Sequence, residues 1–205
     1  RLEPTLALAS ATIIFSILIA TPLGVLAAWR RGTWVDNLAS GGAVIGFALP
    51  GIVTGYLLVY VFALKLQWLP VQGFIPLSEG FWPFIRHLIL PTLTLSTIYV
   101  ALITRVTRAS MLEILGEDFV RTARAKGLPE RVVLFRHALG NSAIPILSVI
   151  GIGIALLLGG VVVTESVFSL PGLGRLTVEA VVARDYPVVQ GIIILFSGVY
   201  VLINL

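Results

Sequence analysis

Few side chains in this sequence could carry out chemistry, and they form no recognisable catalytic set. The 205 residues include no cysteine, so thiolate chemistry is excluded, and only His87 and His137 could offer an imidazole to a metal. There is no Ser/His/Asp arrangement, no metal-ligand spacing and no glycine-rich loop with a lysine to hold a phosphate. We therefore expect a chain that is not itself an enzyme, with no catalytic residue, no metal site and no bound cofactor.

The cations are more informative, because they gather in one segment. Seven of the 14 Lys and Arg residues lie between positions 105 and 136. Within this segment Gly127 followed by Pro129 is typical of a helix stop and a restart. The pattern predicts two short helices, over residues 117–126 and 129–140.

We expect residues 105–141 to form a loop that is much longer than the roughly 2 to 8 residues that connect packed helices. Ser110 and Glu113 have the spacing of a capping box, which predicts a helix start there. Small residues beside cations could fit the cleft of another protein, with the cations reaching carboxylates at its rim. A basic loop held near anionic lipid headgroups is an equal alternative.

One acidic residue, Glu165, lies at the outer end of a long apolar run, where an ionisable side chain is costly unless it is hydrated or paired. It could line a transport path or latch an outer gate. The simpler interpretation is that it caps the turn at residues 171–174 or pairs with Arg175.

The elements that must position these residues are membrane helices. The chain is 58% hydrophobic and 12% charged, with a mean hydropathy of +1.03, whereas soluble proteins carry about 25% charged residues. A spanning helix needs roughly 20 apolar residues. Five runs without Asp, Glu, Lys or Arg approach or exceed that length: residues 4–29, 37–64, 87–104, 137–164 and 186–205. We predict an all-α membrane protein, a bundle with five transmembrane helices in this chain.

The first of these runs contains a stripe of small residues. Ser16, Ala20, Gly24 and Ala28 recur at every fourth position. Such a stripe favours close packing of one membrane helix against another. Chance periodicity in a chain rich in glycine and alanine is the alternative.

The distribution of cations predicts the orientation. Connectors 30–36 and 105–136 hold nine Lys and Arg residues, and connectors 65–86 and 165–185 hold four. The positive-inside rule therefore places the first two in the cytoplasm, the N-terminus outside and the C-terminus inside. Because the cations follow the membrane edges and do not alternate with aromatic residues on one face, nucleic acid is not an expected partner.

Five runs resemble a known family: residues 118–128, 136–139, 141–145, 164–175 and 183–191. They are similar to inner-membrane permeases of binding-protein-dependent ABC importers, and most similar to the first permease subunit of the dipeptide, oligopeptide and nickel branch. The resemblance covers essentially the whole chain. It implies a type I importer permease domain over residues 1–205, with six spans in the full protein and a further N-terminal span and C-terminal tail beyond this chain.

The resemblance also implies a site. It assigns to a coupling helix, which docks in a groove of a cytoplasmic ATPase, the seven residues Arg121, Thr122, Ala123, Arg124, Ala125, Lys126 and Gly127. The broader importer class begins this motif with Glu-Ala-Ala, where this chain has Arg121, Thr122 and Ala123. A carboxylate contributed by that glutamate is therefore missing here.

The partners implied by the resemblance are a second homologous permease, two ATP-binding subunits that use ATP and Mg²⁺, an extracytoplasmic solute-binding protein and membrane lipid. The implied cargo is a short peptide, or nickel or a related small solute, and the implied location is a bacterial or archaeal inner membrane. The alternative is a secondary transporter not driven by ATP, which should have titratable groups at mid-membrane or inverted repeats. Neither feature is evident in the sequence.

Overall fold

The computed structural model describes residues 1–204, without the side chains of residues 155, 158, 203 and 204. The chain is helical, and no strand occurs in this part of it. The helices are α1 (Leu2–Trp29), α2 (Trp34–Ala48), α3 (Gly51–Leu58, continued by a π-helix Val59–Lys65), α4 (Phe81–Leu115), α5 (Asp118–Ala125), α6 (Glu130–Val132, continued by a π-helix Val133–Leu139), α7 (Ala143–Val167), α8 (Leu173–Ala183) and α9 (Tyr186–Asn204). A single 3₁₀ turn, Leu77–Glu79, precedes α4.

Among the residues that the structure describes, two helices, α1 and α4, are each long and apolar enough to cross a membrane. Two bent pairs, Trp34–Ala48 with Gly51–Lys65 and Glu130–Leu139 with Ala143–Ile154, raise the number to four if each pair is one span. The last predicted span ends outside the described residues, and its apolar part, Tyr186–Leu202, is shorter than the others. The all-α membrane class is confirmed, while the count of five spans stays a prediction.

The segment after residue 104 begins differently from the prediction. α4 continues to Leu115, so the first third of the expected loop is helical and Ser110 lies within a helix instead of capping one. The capping-box interpretation of Ser110 and Glu113 is therefore wrong. The physical reason is burial: Met111 is 0% exposed and packs with Val25 and other apolar side chains, which favours an uninterrupted helix over a new start.

The two predicted short helices do occur. The first is α5, and the second is α6 with its π-helical continuation to Leu139. Gly127 and Pro129 lie between them, as the stop and restart signals require.

The chain forms two compact units. The first unit comprises Arg1–Phe15, Leu49–Thr97 and Gly153–Leu205, and the second comprises Ser16–Ala48 and Ile98–Ile152. In the second unit, buried side chains from α1 and α4 pack with those of the segment after α5, which gives this unit an apolar core.

The small-residue stripe of α1 lies in this core. Ser16, Ala20, Gly24 and Ala28 are all buried, and the hydroxyl of Thr104 in α4 donates to the Ala20 carbonyl over 3.4 Å. The stripe therefore allows the close approach of α1 and α4 within the second unit, as the spacing predicts.

Replacing Gly24 with alanine is expected to destabilise the protein by about 1 to 3 kcal/mol, through overpacking. A Cβ atom at this position would lie 2.6 Å from Thr107 Cβ and 2.9 Å from the Thr104 carbonyl oxygen, so α1 and α4 would have to separate. Thermal unfolding of the purified full-length protein in detergent measures the effect. Gly41→Ala is the matched control, because nothing lies within 4 Å of a Cβ at that position in α2. Equal melting temperatures for the two variants would contradict this packing.

Candidate functional site

The helix α5 is held by one face. Val120 and Ala123, three residues apart, are 0% and 6% exposed and pack with Val133. Ile114 and Leu115 at the end of α4 pack against the same cluster. α5 is thus a short amphipathic helix fixed to the end of a long apolar one.

The end of α5 is a Schellman motif. The Gly127 amide donates to the Arg124 carbonyl over 2.9 Å, and the Leu128 amide donates to the Ala123 carbonyl over 3.3 Å. Gly127 has a φ of +74°, in the left-handed region that favours glycine. The backbone turn that ends α5 therefore favours glycine at position 127, at the end of the predicted motif.

A second fastening joins α5 to α6. The Arg124 guanidinium donates to both carboxylate oxygens of Glu130, over 2.7 and 3.3 Å. These hydrogen bonds raise the pKa of Arg124 above its usual value. Both side chains are partly exposed, so the pair adds at most about 1 kcal/mol to stability. Its main consequence is that Arg124 is already engaged within the chain.

Five exposed residues of this segment form what we call the docking face: Phe119, Arg121, Thr122, Lys126 and Leu128. Phe119 and Leu128 are 42% and 38% exposed. The Arg121 side chain is 77% exposed, and its ion-pair contact with Asp118 is long, at 3.5 Å, and open to solvent. Apolar anchors beside exposed cations are typical of a surface that binds another protein.

The structure divides the seven residues assigned by sequence. Ala123 faces inward, Arg124 pairs with Glu130 and Gly127 forms the turn. The other four are exposed: Arg121, Thr122, Ala125 and Lys126. Phe119 and Leu128 lie just outside the assigned range. The sequence signal that could have added them to the assigned site is an apolar residue on each side of a basic run.

Glu165 is fully buried at the end of α7 and binds the start of α8. Its carboxylate accepts a hydrogen bond from the Thr5 hydroxyl over 2.6 Å and from the Arg175 amide over 2.9 Å. Thr5 in turn accepts from the Leu173 amide over 2.8 Å. Gly172, which has no side chain, occupies the N-cap position of α8, so Glu165 and Thr5 satisfy amides that its first turn leaves free.

This arrangement matches the simpler of the two interpretations, in which Glu165 caps the turn at residues 171–174. The Arg175 side chain pairs with Glu179 over 2.8 Å, so only the Arg175 backbone reaches Glu165. A Cβ on Gly172 would overlap the Glu165 carboxylate, and a Cβ on Gly174 would lie 2.6 Å from the Val162 Cα. The glycines therefore allow α8 to approach α7. A role for Glu165 in a gate or path stays a prediction.

A third polar cluster was not foreseen from the sequence. Asp36 is 4% exposed and receives two hydrogen bonds from the Arg108 guanidinium, one of them 2.8 Å long from Nη2. The Gly32 amide donates to the same carboxylate over 2.9 Å and the Ser40 hydroxyl over 3.3 Å. The cluster fastens the turn between α1 and α2 to α4 within the second unit.

No metal site accompanies these clusters. Among the residues that the structure describes, no group of three or more His, Asp or Glu side chains could hold a metal ion.

The family described as binding-protein-dependent transport system inner membrane component matches residues 20–205. The chain is 53% identical, over its whole length, to a probable peptide ABC transporter permease protein, y4tP, of Sinorhizobium fredii, and 43% identical to the glutathione transport system permease protein GsiC of Escherichia coli. It spans 66% and 64% of the length of these relatives.

A solved structure of the MetNI methionine ABC transporter, in an inward-facing conformation, has a similar fold. The TM-score is 0.74 over 98% of this chain and 88% of that one, at 19% sequence identity. This similarity confirms the predicted importer-permease fold.

Proposed function

Because the chain belongs to the family of binding-protein-dependent transport system inner membrane components, we propose that it is the permease subunit of an ATP-driven importer. It pairs with a second permease to enclose a path across the inner membrane. Two cytoplasmic subunits bind and hydrolyse ATP with Mg²⁺, and a solute-binding protein delivers the cargo from outside. This chain supplies the path and the coupling surface, and the catalytic chemistry belongs to its partners.

The observation that carries the proposal is the construction of α5. Its inward residues, Val120 and Ala123, are packed on the end of α4, and its docking face is open. A partner that binds the docking face and then moves would displace the whole of α5. Because Ile114 and Leu115 share its apolar cluster, the motion would pass directly to α4.

The proposed cargo is a short peptide. Two of the relatives are named for peptide and glutathione transport, and glutathione is itself a tripeptide. Nickel or another small solute is the competing cargo. Competition for uptake between a labelled tripeptide and unlabelled peptides or Ni²⁺ distinguishes the two.

Arg121→Glu is expected to reduce ATP-dependent uptake about tenfold or more. The substitution replaces an exposed cation of the docking face with a carboxylate. It would then face the carboxylates proposed at the rim of the ATPase groove, and like charges across an interface oppose association. The measurement is uptake of a labelled tripeptide into liposomes that hold the full-length permeases and ATPase subunits, with binding protein added. Arg131→Glu, an exposed cation outside the docking face, is the control and should retain uptake.

Other positions test the proposal less directly. A side chain at Gly127 strains the backbone whatever binds there, and a change at Arg124 breaks the pair with Glu130. Full uptake by Arg121→Glu, with ATPase subunits still bound, would show that the docking face does not couple the permease to the ATPase. Uptake that requires an ion gradient but no ATP would instead support secondary transport.

A further inference from the structure

A groove in the second unit runs between α2 and α4. Its volume is about 620 Å³, and most of its wall is apolar. Ala43, Val44 and Phe47 of α2 form much of that wall, and Val44 and Phe47 are 68% and 46% exposed. Such a volume lies in the range of sites that take small amphiphilic molecules.

The groove has a cationic end. Arg105 and Arg108 both line it, three residues apart on the same side of α4. Arg108 is neutralised by Asp36. The Arg105 side chain is exposed and makes no hydrogen bond or ion pair with any other side chain that the structure describes. One guanidinium therefore faces the groove without a counter-charge.

Polarity changes along the groove. Arg108 is bound at Asp36, in the first turn of α2, while Phe47 lies eleven residues further along that helix, or roughly 16 Å. A ligand that matches both ends needs an anionic head and an apolar tail. In a membrane protein with its cations at the cytoplasmic edge, the molecule of this description at highest concentration is an anionic phospholipid.

We infer that this groove binds an anionic phospholipid, with the phosphate at Arg105 and an acyl chain along Val44 and Phe47. A zwitterionic lipid carries its own cation, so Arg105 selects for the anionic headgroup. The inference depends on the membrane location of the chain and not on its coupling to an ATPase.

The test uses the full-length permease in its complex, incorporated into vesicles of equal parts phosphatidylglycerol and phosphatidylethanolamine. The complex is then extracted, and the lipids retained per complex are counted by mass spectrometry. Arg105→Gln is expected to lower the retained ratio of phosphatidylglycerol to phosphatidylethanolamine about fivefold. Arg131→Gln, which removes an exposed cation outside the groove, should leave the ratio unchanged. Equal ratios in the two variants would overturn the inference.

A second variant tests the occupant of the apolar part. Val44→Trp fills the groove from an exposed position and is expected to reduce both retained lipids without loss of partner subunits. Unchanged lipid together with loss of the second permease would identify the groove as a protein interface and overturn the lipid assignment. Because peptide uptake is not the readout, failure here is distinguishable from failure of the proposed function.

Discussion

Asp36→Ala is expected to lower the free energy of unfolding by about 3 kcal/mol. The substitution removes both hydrogen bonds from Arg108 and the acceptors of the Gly32 amide and the Ser40 hydroxyl. It also leaves the Arg108 guanidinium without its counter-charge. The value is at the lower end for a broken buried pair, because the Arg108 side chain is 29% exposed and can be partly hydrated.

Thermal unfolding of the full-length protein in one detergent measures this effect, with a double-mutant cycle to isolate the pair. Adding Arg108→Met to Asp36→Ala should recover part of the loss, since no unpaired charge remains. Glu113→Ala is the control, because it removes an exposed carboxylate from the surface of α4. A melting temperature for Asp36→Ala equal to that of the control would show that the cluster contributes nothing.

The cluster of Asp36 and Arg108 is a feature that could not be predicted from the sequence. The helical class, the short helices around Gly127 and Pro129, and the stripe through Gly24 each depend on local spacing, and the structure contains all three. Asp36 and Arg108 are 72 residues apart, and no local pattern pairs them. The signal available was weak: a lone acid beside an apolar run, which is costly there unless it is paired.

Burial explains the remaining differences. The capping box at Ser110 is a valid local signal, but burial of Met111 in the core of the second unit overrides it. The sequence likewise predicts the position of α5 but not which side chains face outward. The inward orientation of Ala123 depends on Val133, and the engagement of Arg124 depends on Glu130, both across a turn.

Glu165→Ala is the second substitution with a large expected effect, a loss of about 2 to 3 kcal/mol in the free energy of unfolding. The Arg175 amide and the Thr5 hydroxyl would lose their acceptor at a buried site, and the first turn of α8 would detach from α7. Glu165→Gln should cost about half as much, because its amide oxygen can still accept from the Arg175 amide and its NH₂ group can donate to Thr5. Thermal unfolding measures both variants.

The control for this series is Glu179→Ala, which removes a carboxylate from the same region. Glu179 is 43% exposed and pairs with surface arginines, so its loss should change the free energy of unfolding by less than about 1 kcal/mol. The graded series also separates the two roles considered for Glu165. A cap predicts that uptake falls in step with the melting temperature from wild type through Gln to Ala. A gate predicts that Glu165→Gln alters uptake at an unchanged melting temperature, and that result would overturn the assignment of Glu165 as a cap for α8.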